Sequence, residues 1–363
     1  MAKAEHHKLA LWAVTPNGVE IIDRLAAGLP DADIYLSQSL ALNETAYNRF
    51  DRLSAAVKDN FDQYSGHIFI MATGIVVRVL APLIQNKTRD PAVVVVDDLG
   101  KNAISLLSGH IGGANELTRE VARMIKANPV ITTATDINSV PAIDVLAVEN
   151  GLAIENPSAI KNVNMALVRN EPIGVHDPYR FLERILLNLK SAAFYTLSHD
   201  IKKISQQKDI IKNPIVNIDD SIIDLPSEVL TLRPPSLVAG IGCNRGTGSR
   251  EIGDLLGQVL TSNRLALSSL TCLASIDVKN DEAGLIAVAE QLKLPLVFYT
   301  GEELNQVKGI QNPSQVVEHH VGVKSVCEAA AILASRNGTL IVPKKSTKNV
   351  TVAIARIGSM LSE

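Results

Sequence analysis

The sequence is poor in cysteine, in aromatic side chains and in long apolar runs. Three cysteines, Cys243, Cys272 and Cys327, stand at wide spacings among 363 residues. An odd, scattered set of this kind builds neither a disulfide framework nor a paired-cysteine metal knuckle. Cys272 and Cys327 read as small core residues, whereas Cys243 falls in a glycine-rich turn. The opening residues, MAKAEHHK, lack an apolar core and a cleavage pattern, so a reducing cytoplasm is the simplest compartment. The adjacent His6 and His7 read as a solvated tail. Purely aliphatic runs such as residues 93–96 fall far short of the ~20 residues that cross a bilayer. Neither charge dominates: 35 basic against 38 acidic residues leave a formal net charge of -3. That balance argues against a nucleic-acid binder held by bulk positive charge. No internal repeat, low-complexity block, GxSxG elbow, HExxH helix, Walker loop or EF-hand loop is present, so serine-hydrolase and zinc-protease chemistry has no support.

What is present is a globular composition, 46% hydrophobic and 20% charged, in a chain too long for one ordinary core. Strand and helix patterns alternate almost throughout, which predicts an α/β architecture with largely parallel sheets. Strands are expected over 9–14, 67–72, 92–96 and 130–133, with helices over 18–29, 75–80 and 114–126. The last of these puts Leu117, Val121 and Met124 or Ile125 on one face. Ser139 reads as the cap of a further helix that opens near Pro141. Residues 202–235 turn polar and proline-broken, and read as the tail of a middle region and a linker. Pattern resumes at Ser236, with strands over 270–276, 295–299, 339–342 and 350–355 and helices over 249–260, 282–292 and 323–335. The expected organisation is a Rossmann-like N-terminal α/β domain over 1–138, a smaller middle α/β region and linker over 139–232, and a Rossmann-like C-terminal α/β domain over 233–363.

Three strand-to-helix turns carry candidate chemistry. In the first, Thr73 and Gly74 lead into a helix whose free N–H groups suit a carboxylate, with Arg78 one turn on. A capping threonine followed by a turn glycine explains it more simply. The second is SLLSGHIGGANELT, residues 105–118. Gly109, Gly112 and Gly113 allow a ligand to reach the main chain, Asn115 and Glu116 occupy the first helical turn, and the imidazole of His110 suits a general base or acid. The plainer alternative has Ser108 as a cap, tightly packed glycines and His110 at the surface. The third, GIGCNRGTG over 240–248, follows a strand and precedes a helix, but its GxGxxxG spacing departs from a dinucleotide loop. An anion-binding turn using Arg245 and a purely structural turn both fit. Asp97 and Asp98 end one strand and Asp136 follows another. Since ligands gather at the carboxyl ends of strands, one crevice could hold these residues and His110, though the plainer reading makes at least one of Asp97 and Asp98 an ordinary solvated turn residue. Lys344 and Lys345 read as a solvated strand end.

The block IFIMATGIVVRVLAPLIQNKTRDPAVVVVDDLGKNAISLLSGHIGGANELT, residues 68–118, resembles the cobalt-precorrin 5A hydrolase family of anaerobic cobalamin biosynthesis. PVITTATDIN (129–138), LVAGIGCNRGT (237–247) and the C-terminal segment from GVKSVCEAAAILASRNGTLIVPKK onward are similar to it as well. The resemblance implies a δ-lactone opened by water, with release of a two-carbon fragment as acetaldehyde to give cobalt-precorrin 5B. It implies no protein cofactor, the cobalt being carried by the substrate, and no metal ligands on the protein. It leaves neighbouring enzymes of the corrin pathway and a homodimer open as partners. On this reading His110, Asp97 and Asp136 are the catalytic candidates, and the N–H groups from Ile111 to Ala114 stabilise the oxyanion. Thr73, Gly74, Arg78, Lys87, Arg89 and Arg245, with Ser108, Gly109, Gly112, Gly113, Asn115 and Glu116, meet the acid side arms and ring of the substrate. Competing expectations are a nicotinamide- or flavin-dependent oxidoreductase, suggested by the turn at 240, and a non-catalytic corrinoid carrier.

Overall fold

A computed structural model describes residues 8–40, 47–86, 89–138, 140–181, 194–196, 201, 213–313 and 323–358. His6, His7, Lys87, Ser139 and residues 202–212 of the expected linker lie outside the described residues. The architecture is mixed α/β with mostly parallel sheets, and it divides into two compact units, Met1–Val145 and Leu146–Glu363.

In the first unit, β1 (Leu9–Ala13) gives way to α1 (Pro16–Ala26) at Thr15, whose hydroxyl accepts the Gly18 N–H at 3.0 Å while Pro16 supplies a pre-set φ. Apolar spacing then buries Ile21, Ile22 and Leu25. The strands β2 (Asp33–Ser37), β3 (Asn48–Phe50), β4 (Gly66–Ile70) and β5 (Ala92–Val96) follow, with α2 (Leu53–Asn60) before β4 and α3 (Thr73–Leu80) after it. Every residue of β4 and β5 is buried, as expected of strands covered on both faces. Then comes β6 (Asn102–Leu107), followed by α4 (Ala114–Ile125) and β7 (Asn128–Val130). The sheet order is β3-β2-β1-β4-β5-β6-β7.

The first five strands are parallel, but β6 pairs antiparallel to β5 and carries β7 with it. The sequence pattern does not mark β6, which buries only Ala103 fully and carries a register shift against β5. Its reversal has a large consequence. The turns after β4 and β5 open at one edge of the sheet, whereas the turns after β6 and β7 open at the other.

The second unit holds two sheets. One has the order β10-β9-β11-β12-β8, from β8 (Ala153–Ile154), β9 (Ile173–His176), β10 (Phe194–Thr196), β11 (Ile215–Ile218) and β12 (Leu230–Arg233). The expected linker is therefore corrected: β11 and β12 are fully buried strands inside 202–235. Four-residue strands between prolines and polar residues leave too short a pattern to read. The other sheet has the order β15-β14-β13-β17-β16, from β13 (Leu237–Cys243), β14 (Leu270–Ile276), β15 (Leu296–Tyr299), β16 (Thr339–Ser346) and β17 (Val350–Arg356). Asp220 ties the two sheets together. Fully buried, it accepts two bonds from the Arg356 guanidinium, each 2.7 Å, and a third from Ser236 Oγ. The Arg356 guanidinium also lies over the Tyr179 ring at 4.5 Å.

Candidate active site

The collar between β6 and α4 folds tightly on itself. Ser108 takes φ +58° and Gly113, the N-cap of α4, φ +83°. Of the three glycines, two answer to the protein's own packing. A Cβ on Gly109 would lie 2.8 Å from Asn115 Oδ1, and one on Gly112 would lie 2.3 Å from Ser108 Cβ. Only Gly113 faces open space. The expectation that all three serve close approach of a ligand is thus corrected. Two of the expected oxyanion donors are also engaged, since Gly113 N–H bonds His110 O and Ala114 N–H bonds Ser108 O. Ile111 and Gly112 retain N–H groups with no partner among the described residues.

His110 emerges from this collar with its ring about a quarter exposed. Nε2 stands 2.8 Å from Thr135 Oγ1 and 3.3 Å from Asp136 Oδ2, and Nδ1 faces the buried Asp144 carboxylate at 3.6 Å. Thr135 and Asp136 belong to α5 (Ala134–Ile137), which follows β7, and Asp144 to α6 (Ile143–Glu149). Asp136 is saturated with donors. Thr133 Oγ1 gives a bond of 2.6 Å, Asn115 Nδ2 one of 2.8 Å, and the Arg119 guanidinium another. Burial alone would raise this carboxyl, but the Thr133 and Arg119 bonds outweigh it and hold Asp136 below the usual carboxylate range. An ionised, fully engaged carboxylate orients its neighbours and has no free oxygen to take a proton. Asn115 is the keystone: buried in the first turn of α4, it accepts from Ser105 Oγ at 2.7 Å and donates to Thr133 Oγ1 at 3.0 Å as well as to Asp136. Glu116 is exposed and pairs with Arg119 at 3.1 Å.

Asp97 does not join them. Its oxygens accept the N–H groups of Leu99, Lys101 and Asn102 and the Asn102 side-chain amide. Partial burial would raise its carboxyl, but these bonds prevail and hold it low. It therefore closes the β5–β6 turn. Because β6 runs back along β5, its six residues separate Asp97 from Ser108 by roughly 20 Å. The shared crevice is corrected accordingly: Asp136 and His110 meet, and Asp97 and Asp98 sit at the opposite edge. Asp98 there receives bonds from Thr15 Oγ1 and Asn17 Nδ2. Thr73, Gly74 and Arg78 occupy that same opposite edge, Arg78 Nη1 turning back onto Gly74 O at 2.8 Å. Arg89 is exposed.

Four residues of the site escape the sequence reading. Arg119 stands one turn beyond Asn115 on α4, a spacing that could have exposed it. Thr133, Thr135 and Asp144 carry no such signal and are brought in by the fold.

In the second unit, the glycine stretch that begins within β13 is structural at its first glycine. A Cβ on Gly240 would lie 1.9 Å from Cys327 O, because the helix Val326–Ala334 packs directly on the strand. Arg245 is held by Asp281 and by Val278 O at 3.0 Å. The first glycine of this stretch, Gly240, is thus required by helix packing. Cys327 is buried, while Cys243 and Cys272 are partly buried, and all three thiols are free. Among the described residues no group of three or more His, Cys, Asp or Glu side chains is arranged to hold a metal ion, and no helix is long and apolar enough to cross a membrane.

Three family models match the chain in succession: cobalamin synthesis G N-terminal over 55–136, cobalamin biosynthesis central region over 141–234, and cobalamin synthesis G C-terminus over 237–355. The chain is 34% identical to a cobalt-precorrin-5A hydrolase of Priestia megaterium, covering 96% of this chain and 94% of that one. It is 36% identical to a cobalt-precorrin-5A hydrolase of Salmonella typhimurium, covering 98% and 99%. Among solved structures, a cobalamin biosynthesis protein G homologue from Sulfolobus solfataricus is similar at 21% identity and a TM-score of 0.36, covering 97% of this chain and 98% of that one.

Proposed function

Because the chain belongs to the cobalt-precorrin-5A hydrolase family, we propose that it opens the lactone of cobalt-precorrin 5A with water and releases the two-carbon fragment as acetaldehyde, with His110 as the base. The observation that carries the residue assignment is the imidazole flanked at both nitrogens. With the proton on Nδ1, toward Asp144, the Nε2 lone pair is left toward Thr135 Oγ1. A water or substrate hydroxyl that displaces the Thr135 hydroxyl meets that lone pair. As it gives up its proton, Asp136 and Asp144 stabilise the imidazolium that forms, in the manner of a carboxylate behind a catalytic histidine. The Ile111 and Gly112 N–H groups are the donors left for the oxyanion of lactone opening. In the second step the same histidine takes the hydroxyl proton of the fragment, the carbon–carbon bond breaks, and the conjugated macrocycle receives the electron pair. Cobalt enters as part of the substrate. Three free thiols in one chain accord with a cytoplasmic setting.

The test is anaerobic incubation with cobalt-precorrin 5A, following acetaldehyde and the mass of the tetrapyrrole. His110→Ala is expected to lower kcat by roughly 10²–10⁴-fold, and Asp144→Asn to lower kcat with KM unchanged. Acetaldehyde released by His110→Ala at the parent rate removes the histidine from the mechanism. A ligand bound with its mass unaltered by the parent protein makes the chain a carrier.

A further inference from the structure

The C-terminal sheet has a cavity of its own. It opens at the carboxyl ends of β13 and β14, beside the β16–β17 turn, and encloses about 480 Å³, within the range of roughly 300–1,000 Å³ typical of small-molecule sites. Ile276, Val326 and Val350 contribute an apolar lining. Four cationic side chains, Arg245, Lys279, Lys344 and Lys348, border it, and no carboxylate does.

These four cations are not equivalent. Arg245 is neutralised by Asp281, and Lys279 by Glu282 at 3.4 Å. Lys344 and Lys348 have no ion-pair partner among the described residues; the Lys344 ammonium reaches only the carbonyl of Asn312, at 3.4 Å. Lys344 is nonetheless held firmly by its main chain. Its N–H bonds the fully buried Glu328 at 2.8 Å, and Glu328 also receives the N–H groups of Gln311 and Asn312. The helix Val326–Ala334 starts at the same cavity, and its N-cap Ser325 makes no side-chain capping bond, so the positive end of the helix adds to the field there. An apolar lining ringed by unpaired ammonium groups suits a ligand with an apolar body and several acid arms.

We propose that this cavity is a second ligand site, in which Lys344 and Lys348 hold the carboxylates of a tetrapyrrole polyacid. The amphipathic, polyanionic character of the ligand rests on the cavity alone; its tetrapyrrole nature rests on the function proposed above. The sequence reading of Lys344 and Lys345 as a solvated strand end is thereby divided, Lys345 being exposed and outside the lining.

The experiment titrates the full chain with uroporphyrin III, a tetrapyrrole carrying eight carboxylates, and follows its absorbance at several salt concentrations. Saturable binding that weakens with salt is expected. The double variant Lys344→Ala/Lys348→Ala should raise Kd about tenfold or more, given the strength of hydrogen bonds to charged groups, and should flatten the salt dependence. Lys344→Arg/Lys348→Arg should restore most of the affinity, and Lys345→Ala should leave it unchanged. Absence of saturable binding, or a Kd unmoved in the alanine double variant, overturns the proposal. Acetaldehyde release is scored in parallel. Release with lysine-independent porphyrin binding defeats the second site alone, whereas lysine-dependent binding without release defeats the proposed reaction alone.

Discussion

His67 shows how one residue can carry a histidine's full chemistry and still serve only the fold. It is completely buried on β4 among Phe61, Tyr64, Phe69 and Trp12. Trp12 Nε1 donates to its Nδ1 at 3.1 Å, so Nδ1 holds no proton and Nε2–H faces the carbonyl of Phe61, also at 3.1 Å. Burial pushes its pKa down to about 4, against 6.5 for a free histidine. Protonation would set a new N–H against the Trp12 donor. As the pH falls from 6.5 toward 4, the unfolded chain takes up this proton and the folded chain does not, so stability is lost across that window. The loss reaches about 3 kcal/mol once both pKa values are passed. Urea midpoints of the first unit between pH 7 and pH 4 should show this decline, and His67→Gln should remove most of it. An unchanged pH dependence in that variant would assign the acid sensitivity elsewhere. His110 differs from His67 in its surroundings: it is reachable, it faces carboxylates, and it lies in the collar between β6 and α4.

At the scale of elements, the sequence states most helices and strands openly, because long apolar periods are hard to disguise. Leu270–Ile276 is read residue for residue, and α4 buries the Leu117, Val121 and Ile125 face that its spacing predicts. Strand direction is another matter. Nothing in NAISLL announces that β6 returns alongside β5, since alternation fixes which face a side chain takes and not which way the chain runs. That single omission carries Asp97 from the expected active site to the far edge. The glycines mislead for a related reason. A glycine demanded by a neighbouring side chain and one demanded by a ligand look alike in sequence, and of the three collar glycines Gly113 alone, with its left-handed backbone and open surroundings, keeps the second reading. Gly240 is the clearest case of the first. Gly240→Ala must push the helix Val326–Ala334 away from β13, at a cost of about 2–3 kcal/mol. Thermal unfolding of the second unit should register that loss, while Gly248→Ala, which meets nothing within 4 Å, should be far milder. Equal effects of the two changes would contradict the close packing.

For the molecule as a whole, the Asp220 node decides how its second unit behaves. A buried carboxylate paired with Arg356 is costly to leave half-made, and breaking such a pair typically costs about 3–5 kcal/mol. Asp220→Ala strands the Arg356 guanidinium between the two sheets of residues 146–363. The expected outcome is a lower unfolding midpoint for that unit, with the first unit unaffected; chevron or calorimetric traces resolving both transitions would check it. A single transition shifted as one would mean that the two units do not unfold separately. The last consequence belongs to Asp97, the residue that proved to stand apart from the cluster around His110. By clasping the β5–β6 turn it sets where β6 begins, and a slip of one residue would swing Ser105 to the wrong face and take its hydroxyl from Asn115. Asp97 is thus the length gauge of the His110 cluster: it meters out the strand beyond whose far end the imidazole must arrive.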